Sequence, residues 1–259
     1  MADLFDNAAS TEQYGALQIE VLEGLDPVRH RPGMYIGGTD DRAMHHLVAE
    51  ILDNSMDEAV AGHANWIEIN LIEENQIIIS DNGRGIPVDP HPKFPDKSAL
   101  EVILTTLHAG GKFSGRAYET SGGLHGVGAS VVNALSISLD VEVARDRKLY
   151  KQSFSKGKPT SSLVKVGSAL NRRGTSIKFS PDPEIFGEGC KFEPAILYKM
   201  AKSKAYLFAG VEIRWKCSRA LVVETNPSAP QSETICYPGG LADYLKAVSY
   251  THLRAHETG

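Results

Sequence analysis

The chain has 259 residues, 42% of them apolar and 23% charged, an ordinary globular composition that excludes a disordered or fibrous chain. Its formal net charge of −5 argues against a strong nucleic-acid binder, since phosphate neutralisation requires clustered Lys and Arg. No run approaches the ~18 apolar residues of a membrane span, and the acidic start (MADLFDNAASTEQ) lacks a basic segment leading into an apolar one. No membrane partner and a cytoplasmic location are therefore expected. Cys190, Cys217 and Cys236 form no CxxC pair, so neither a disulfide framework nor a zinc site is indicated.

Residues 1 to 16 have few apolar positions and read as a mobile arm. At ~3.3 Å per residue such an arm reaches on the order of 45 Å, enough to touch a neighbouring subunit. Tyr14, near its end, reads by itself as a local packing contact. Leu17 to Leu25 (LQIEVLEGL) suggests a short helix, broken at Asp26-Pro27 and again at Pro32-Gly33. The basic group Arg29, His30, Arg31 between those breaks reads as a solvated loop.

The clearest helix spans residues 40 to 62, with Leu47, Val48, Ile51, Leu52, Met56, Ala59 and Val60 at helical spacing, Asp40 or Asp41 as its cap and Gly62 at its end. Glu50, Asp53, Asn54 and Asp57 share another face of it. Most such stripes are solvated acid faces. Asn54, however, is a poor mid-helix residue, and an acid and an amide one turn apart suit a base and a magnesium ligand, because Mg²⁺ takes oxygen donors and only one or two from protein.

Trp66 to Ile72 and Gln76 to Ser80 read as a hairpin that delivers Asp81 to a loop, DNGRGIP, running to Pro87. Asn82-Gly83 signals a turn, and Gly85 a sharp bend or a close approach of backbone to ligand. The chain is then turn-rich to Pro95, and Ser98 to Leu107 is predicted as a helix with Ser98 and Glu101 at capping-box spacing. Residues 108 to 128 (HAGGKFSGRAYETSGGLHGVG) hold seven glycines in 21 positions and read as a flexible loop. It ends in GGLHGVG running into the apolar helical segment ASVVNALS, where glycine amides feeding a helix start favour phosphate. This is neither a Walker A loop nor a Rossmann fingerprint, and a plain linker is the competing reading. From Ile137 to Phe179 several strands alternate as an antiparallel sheet would, with Thr175 an ordinary strand threonine. Further on, a helix is predicted from Pro194 to Phe208 with Ile196, Met200 and Leu207 in the core, then a strand over Val211 to Trp215 and a helix LADYLKAV after Gly239-Gly240. Residues 249 to 259 read as foreign to the natural chain, left by cloning.

Glu50 with Asn54 on a helix, DNGRGIP after a strand, SGGLHGVG into a helix and GTSIKF on a later strand occur in that order at large spacings. Together with RPGMYIG, DNSMDEAVAGH, HAGGKF and VVNALS, they closely resemble the GHKL ATPase domain of bacterial type IIA topoisomerases, over about Tyr14 to Val248. YLFAGVEIRW and YGALQIEVLEGLDPV look nearer to the topoisomerase IV branch than to gyrase.

The resemblance implies an α/β fold, a two-layer sandwich with a mixed, largely antiparallel sheet, binding ATP with Mg²⁺. By position, Asp81 would hold the adenine amino group beside Thr175, with Arg84, Gly85, Ile86 and Pro87 in the same loop. Asn54 would ligate Mg²⁺ and Glu50 would be the general base for water. Gly122, Gly123, Leu124, His125, Gly126, Val127 and Gly128 would wrap the phosphates, with Lys112 and Tyr118 on the lid loop. Tyr14 would come from the partner subunit, and Arg145 resembles a position linked to aminocoumarin binding. The implied organisation is an arm (1–16), the ATPase domain (17–230), the start of a following transducer domain (231–248) and the foreign tail. Homodimerisation on ATP binding, a heterotetramer with the DNA-cleaving subunit, and DNA gripped by other domains follow from the same likeness. A MutL-type or heat-shock chaperone ATPase shares the helix Glu and Asn and is the alternative. A nucleotide-binding module with little hydrolysis is the non-enzyme alternative, because the family completes its phosphate site with a lysine from the transducer.

Overall fold

The structure, a computed structural model, describes residues 22–109, 128–224 and 229–246. Two short helices open it, α1 (Asp26–His30) and α2 (Gly33–Ile36). Residues 22 to 25 are coil and turn, so the helix predicted up to Leu25 does not extend there; its positions 17 to 21 lie outside the described residues. Asp26 and Pro27, expected as breakers, instead begin α1. A first-turn proline loses no hydrogen bond, and its fixed φ suits a helix start.

The long helix α3 runs from Asp41 to Val60, and the Asp40 carboxylate accepts the Ala43 N–H at 2.9 Å as its N-cap. Gly62, just past its end, takes φ +75°, which L-residues adopt only under strain. The hairpin β1 (Trp66–Glu73) and β2 (Gln76–Asp81) alternates half-buried and buried positions along both strands, as a sheet covered on one face requires. Within the stretch expected to be only turns lies a small second sheet, β3 (Pro90–His91) with β4 (Phe94–Ser98). Pro90 and Pro95 mask it in the sequence; a two-stranded ribbon tolerates proline where no ladder donor is needed. Ser98 caps α4 (Ala99–Thr105) through the Glu101 N–H at 3.1 Å.

After α5 (Gly128–Ala134), the strands β5 (Ser136–Arg145), β6 (Lys148–Ser155), β7 (Lys158–Pro159), β8 (Val164–Ser168) and β9 (Gly174–Pro181) follow. Beyond them come α6 (Pro183–Phe186), α7 (Pro194–Leu207), β10 (Glu212–Cys217), α8 (Arg219–Glu224) and β11 (Ser232–Ile235), and residues 241–246 are helical. The large sheet has the order β11-β10-β1-β2-β9-β5-β6-β7, with β8 also on β6. Among the described residues its one parallel pair is β1 with β10, and the other pairs are antiparallel. Buried residues of the sheet such as Ile69, Ile79, Val141, Ile177 and Trp215 share one core with Leu47, Val48, Ile51, Leu52 and Met56 of α3.

Within α7 the core stripe is one position away from expectation. Leu197, Ala201 and Ala205 are buried, Met200 is half-buried, and Ile196 and Leu207 are exposed. Small alanines let α7 approach the sheet closely, a choice that hydrophobicity ranking alone does not favour.

Candidate functional site

Helix α3 and the end of β2 build the site. Asp81 is the last residue of β2 and is 7% exposed. Its Oδ1 accepts the N–H of Gly83 at 2.9 Å and of Thr175 at 3.3 Å, while the Ser55 hydroxyl of α3 donates to its Oδ2 at 3.1 Å. Burial pushes the Asp81 carboxyl up to about 6, against the opposing pull of those three hydrogen bonds. It is thus a fixed, buried acceptor.

The loop after Asp81 is pinned from three sides. The side-chain carbonyl oxygen of Asn82 accepts the N–H groups of Asn65 and Trp66 at 2.9 and 3.1 Å. Glu58 of α3 accepts from the Arg84 N–H at 2.9 Å and from its guanidinium at 2.7 Å. The Ile86 N–H donates to Thr175 Oγ1 at 3.2 Å, and Arg145 donates to the Gly85 carbonyl at 2.8 Å. Gly174 has φ +110°, and a Cβ there would strike the Asp81 carbonyl, so the β9 backbone lies against the loop as no other residue allows. Pro87 is exposed at the loop's far end.

Five residues before Ser55 on α3, about 7.5 Å along the axis at 1.5 Å per residue, lies Glu50, with His46 Nδ1 3.5 Å from its Oε1. Gly128, the first residue of α5, abuts that carboxylate so closely that a Cβ would collide with it. Asn54 is half-buried between Glu50 and Ser55 on the helix. The predicted acid stripe of α3 is therefore not one solvated face: Asp53 pairs with Lys204 of α7, and Asp57 is 2% exposed.

The structure thus brings together Glu50, Asn54, Asp81, Arg84, Gly85, Ile86, Gly128 and Thr175 from four distant segments. Tyr14, Lys112, Tyr118 and the run Gly122, Gly123, Leu124, His125, Gly126 and Val127 lie outside the described residues. Sequence reasoning missed Ser55, Glu58 and Gly174. The first two stand three apart on the site-facing side of α3, a helical spacing that would have found them; Gly174 carries no signal until its neighbour across the sheet is known. Among the described residues no three His, Cys, Asp or Glu side chains converge as a metal cage. A magnesium ion held chiefly by phosphate oxygens needs only one or two protein oxygens, which suits the amide of Asn54. No helix of the described residues is long and apolar enough to cross a membrane.

A sequence profile described as "Histidine kinase-, DNA gyrase B-, and HSP90-like ATPase" matches residues 39–185. The B subunit of DNA topoisomerase 4 from Bartonella bacilliformis is 59% identical over 232 residues, covering 90% of this chain and 33% of that protein. The B subunit of DNA gyrase from Thermotoga maritima is 46% identical over 246 residues, covering 95% of this chain and 37% of that protein. The chain accordingly spans about a third of the length of the curated relatives it matches. The crystal structure of the 43K ATPase domain of Thermus thermophilus gyrase B in complex with an aminocoumarin matches with a TM-score of 0.73 at 42% identity, covering 86% of this chain and 54% of that one. With more than half its length inside the profile, the chain belongs to the family of histidine kinase-, DNA gyrase B- and HSP90-like ATPases.

Proposed function

We propose that the chain is the ATP-binding and ATP-hydrolysing part of a type IIA DNA topoisomerase of the topoisomerase IV kind, working as an ATP-gated dimer clamp for strand passage. The observation that carries the reading is the buried Asp81 carboxylate, held at 2.9 to 3.3 Å by two backbone N–H groups and Ser55 of α3, with Glu50, five residues earlier on the same helix, against Gly128. A fixed acceptor at one end of the site and an acid at the other match a ligand with an amino-bearing base and a reactive phosphate.

Asp81 accepts the adenine amino group, and Thr175 closes the same corner. Arg84, Gly85, Ile86 and Pro87 form the floor beside the base. Asn54 would supply an oxygen to Mg²⁺, which when bound would neutralise phosphate charge. Glu50 orients the attacking water and takes its proton, a role worth on the order of 10²–10⁴ in rate. The backbone amides of Gly122 to Gly128 would bind phosphate oxygens, with Lys112 and Tyr118 beside them and Tyr14 entering from the partner of a homodimer. The ATPase unit is assigned to residues 17–230, following the arm 1–16, and residues 231–248 open the next domain; β11 (Ser232–Ile235) makes that junction a strand shared with the ATPase sheet. The topoisomerase subunit that cleaves DNA is the expected heterotetramer partner, and the cytoplasm the expected compartment.

Glu50→Ala is the test. Phosphate release should fall at least about 100-fold while ATP affinity stays within a few-fold. Unchanged turnover would remove Glu50 from the chemistry and, with it, this reading.

A further inference from the structure

The net charge conceals an asymmetry. Residues 145–178 hold ten Lys and Arg and a single acid, Asp146, whereas the other 225 residues hold 17 Lys and Arg and 31 Asp and Glu. The segment folds as the β5–β6 turn, β6 to β8 and the start of β9, which is one end of the large sheet. Half of its cations meet carboxylates. Lys151 and Arg172 share Glu142, Lys178 lies 3.2 Å from Asp140, Lys156 reaches Asp182 and Glu184, and Arg145 reaches Asp146. Arg147, Lys148, Lys158 and Lys165 are exposed and meet no carboxylate among the described residues, while Arg173 donates to the His63 carbonyl at 3.0 Å. The first four run around the sheet edge. Arg147 lies in the β5–β6 turn, Lys148 opens β6, and Lys165 pairs with Tyr150 across β6–β8. Lys158 pairs at the far end of β6, whereas Arg173 precedes β9, which lies two strands in from β6.

We infer that this edge, formed by Arg147, Lys148, Lys158 and Lys165, is a contact surface for the phosphate backbone of duplex DNA. The seven residue steps of β6 span about 23 Å at ~3.3 Å each, a length over which each DNA strand presents about seven phosphates. Serine hydroxyls stand among the cations: Ser161 at the edge is exposed, and such side chains also donate to phosphate oxygens. Val164 and Val166 of β8 are each 47% exposed there, so an acidic polypeptide added along β8 is the competing occupant. The cations extend beyond it: β8 is five residues long, and Arg147 in the turn and Lys158 on β7 lie past its two ends along the outer side of β6. The contact is independent of the nucleotide-site reading.

The experiment titrates this chain, without nucleotide, into a labelled 30-bp duplex at rising KCl. Binding should weaken steeply with salt. Lys148→Glu with Lys165→Glu should lose about tenfold or more in affinity and lower the log–log salt slope by about two. The milder Lys148→Gln with Lys165→Gln pair, which adds no acid to the fold, should lose a smaller factor in the same direction. Lys199→Glu, exposed on α7, should change affinity less than about twofold. The inference is overturned if the unaltered chain shows no salt-dependent binding at low ionic strength, or if Lys199→Glu costs as much as the edge pairs. It is likewise overturned if poly-glutamate of equal charge competes as well as the duplex, which would assign the edge to an acidic protein. The assay contains no ATP, so its failure and failure of the Glu50 test are separate results.

Discussion

At Asp81, stability and the proposed base recognition pull against each other. Its carboxyl is raised from 3.8 to about 6 by burial, so the folded chain holds the proton to a higher pH than the unfolded chain does. Ionised Asp81 therefore costs stability: folding is favoured most below pH ~4, loses ground from there to about 6, and bears the whole cost above that, about 3 kcal/mol for two pH units. Asp81→Asn relieves it at neutral pH, because the amide oxygen can accept from Gly83 and Thr175 and the amide nitrogen can donate to Ser55. Thermal unfolding at pH 7.5 should show Asp81→Asn more stable than the unaltered chain, with the gain vanishing near pH 4. ATP affinity should fall at least about tenfold, since the acceptor for an amino group has gone. In the unaltered chain ATP affinity should decline as pH drops through 6. A variant that binds ATP as well as the original would sink the base-recognition role.

Between elements, the surprise is Arg29. Its group reads in sequence as a solvated loop, yet α1 carries the guanidinium across to the Ala134 carbonyl at the end of α5 and to the wholly buried Asp182 carboxylate, both at 2.7 Å. Asp182 in turn caps α6 through the Glu184 N–H at 3.1 Å. One arginine therefore ties α1, α5 and the end of β9 together. Removing one partner of a buried pair leaves an uncompensated charge at a cost of roughly 3–5 kcal/mol; Lys156, 3.7 Å from the same carboxylate, moves this toward the lower figure. Arg29→Met should reduce the free energy of unfolding in urea by about 3 kcal/mol. Asp182→Asn added to it should recover part of the loss, because the orphaned charge is then gone. Equal stability of Arg29→Met and the unaltered chain would show that the pair contributes nothing.

For the molecule as a whole, the chain covers about a third of the length of its relatives, and in the proposed reading a lysine of the domain that follows would contact the phosphate. Phosphoryl transfer depends mostly on positioning and charge stabilisation. ATP should therefore bind to this chain, but turnover should be at least about tenfold slower than in a chain extended through the next domain. Equal steady-state rates of phosphate release would remove the later lysine from the reaction.

Much of the fold was legible locally. The α3 stripe, the β1–β2 hairpin, the Ser98 cap and the alternation from Ile137 to Phe179 each follow from side-chain period and capping, which a single segment carries within itself. The core face of α7 did not, because small alanines are buried there by close helix–sheet approach and composition does not record which side faces a neighbour. Glu50, Asn54, Asp81 and Thr175 were legible as residues, through motif order. Their convergence was not, since β9 reaches β2 only by crossing the sheet. The same holds for Ser55 and Glu58 gripping the Asp81 loop and for Gly174, whose missing side chain matters only once the Asp81 backbone lies against it. Net charge, a sum, hid the basic edge as well, for sums carry no position. The sequence by itself determined which elements form and which chemical groups they bear. Only the tertiary structure decided which groups meet, because those contacts join residues as far apart as Asp81 and Thr175 and depend on strand order, which no local pattern encodes.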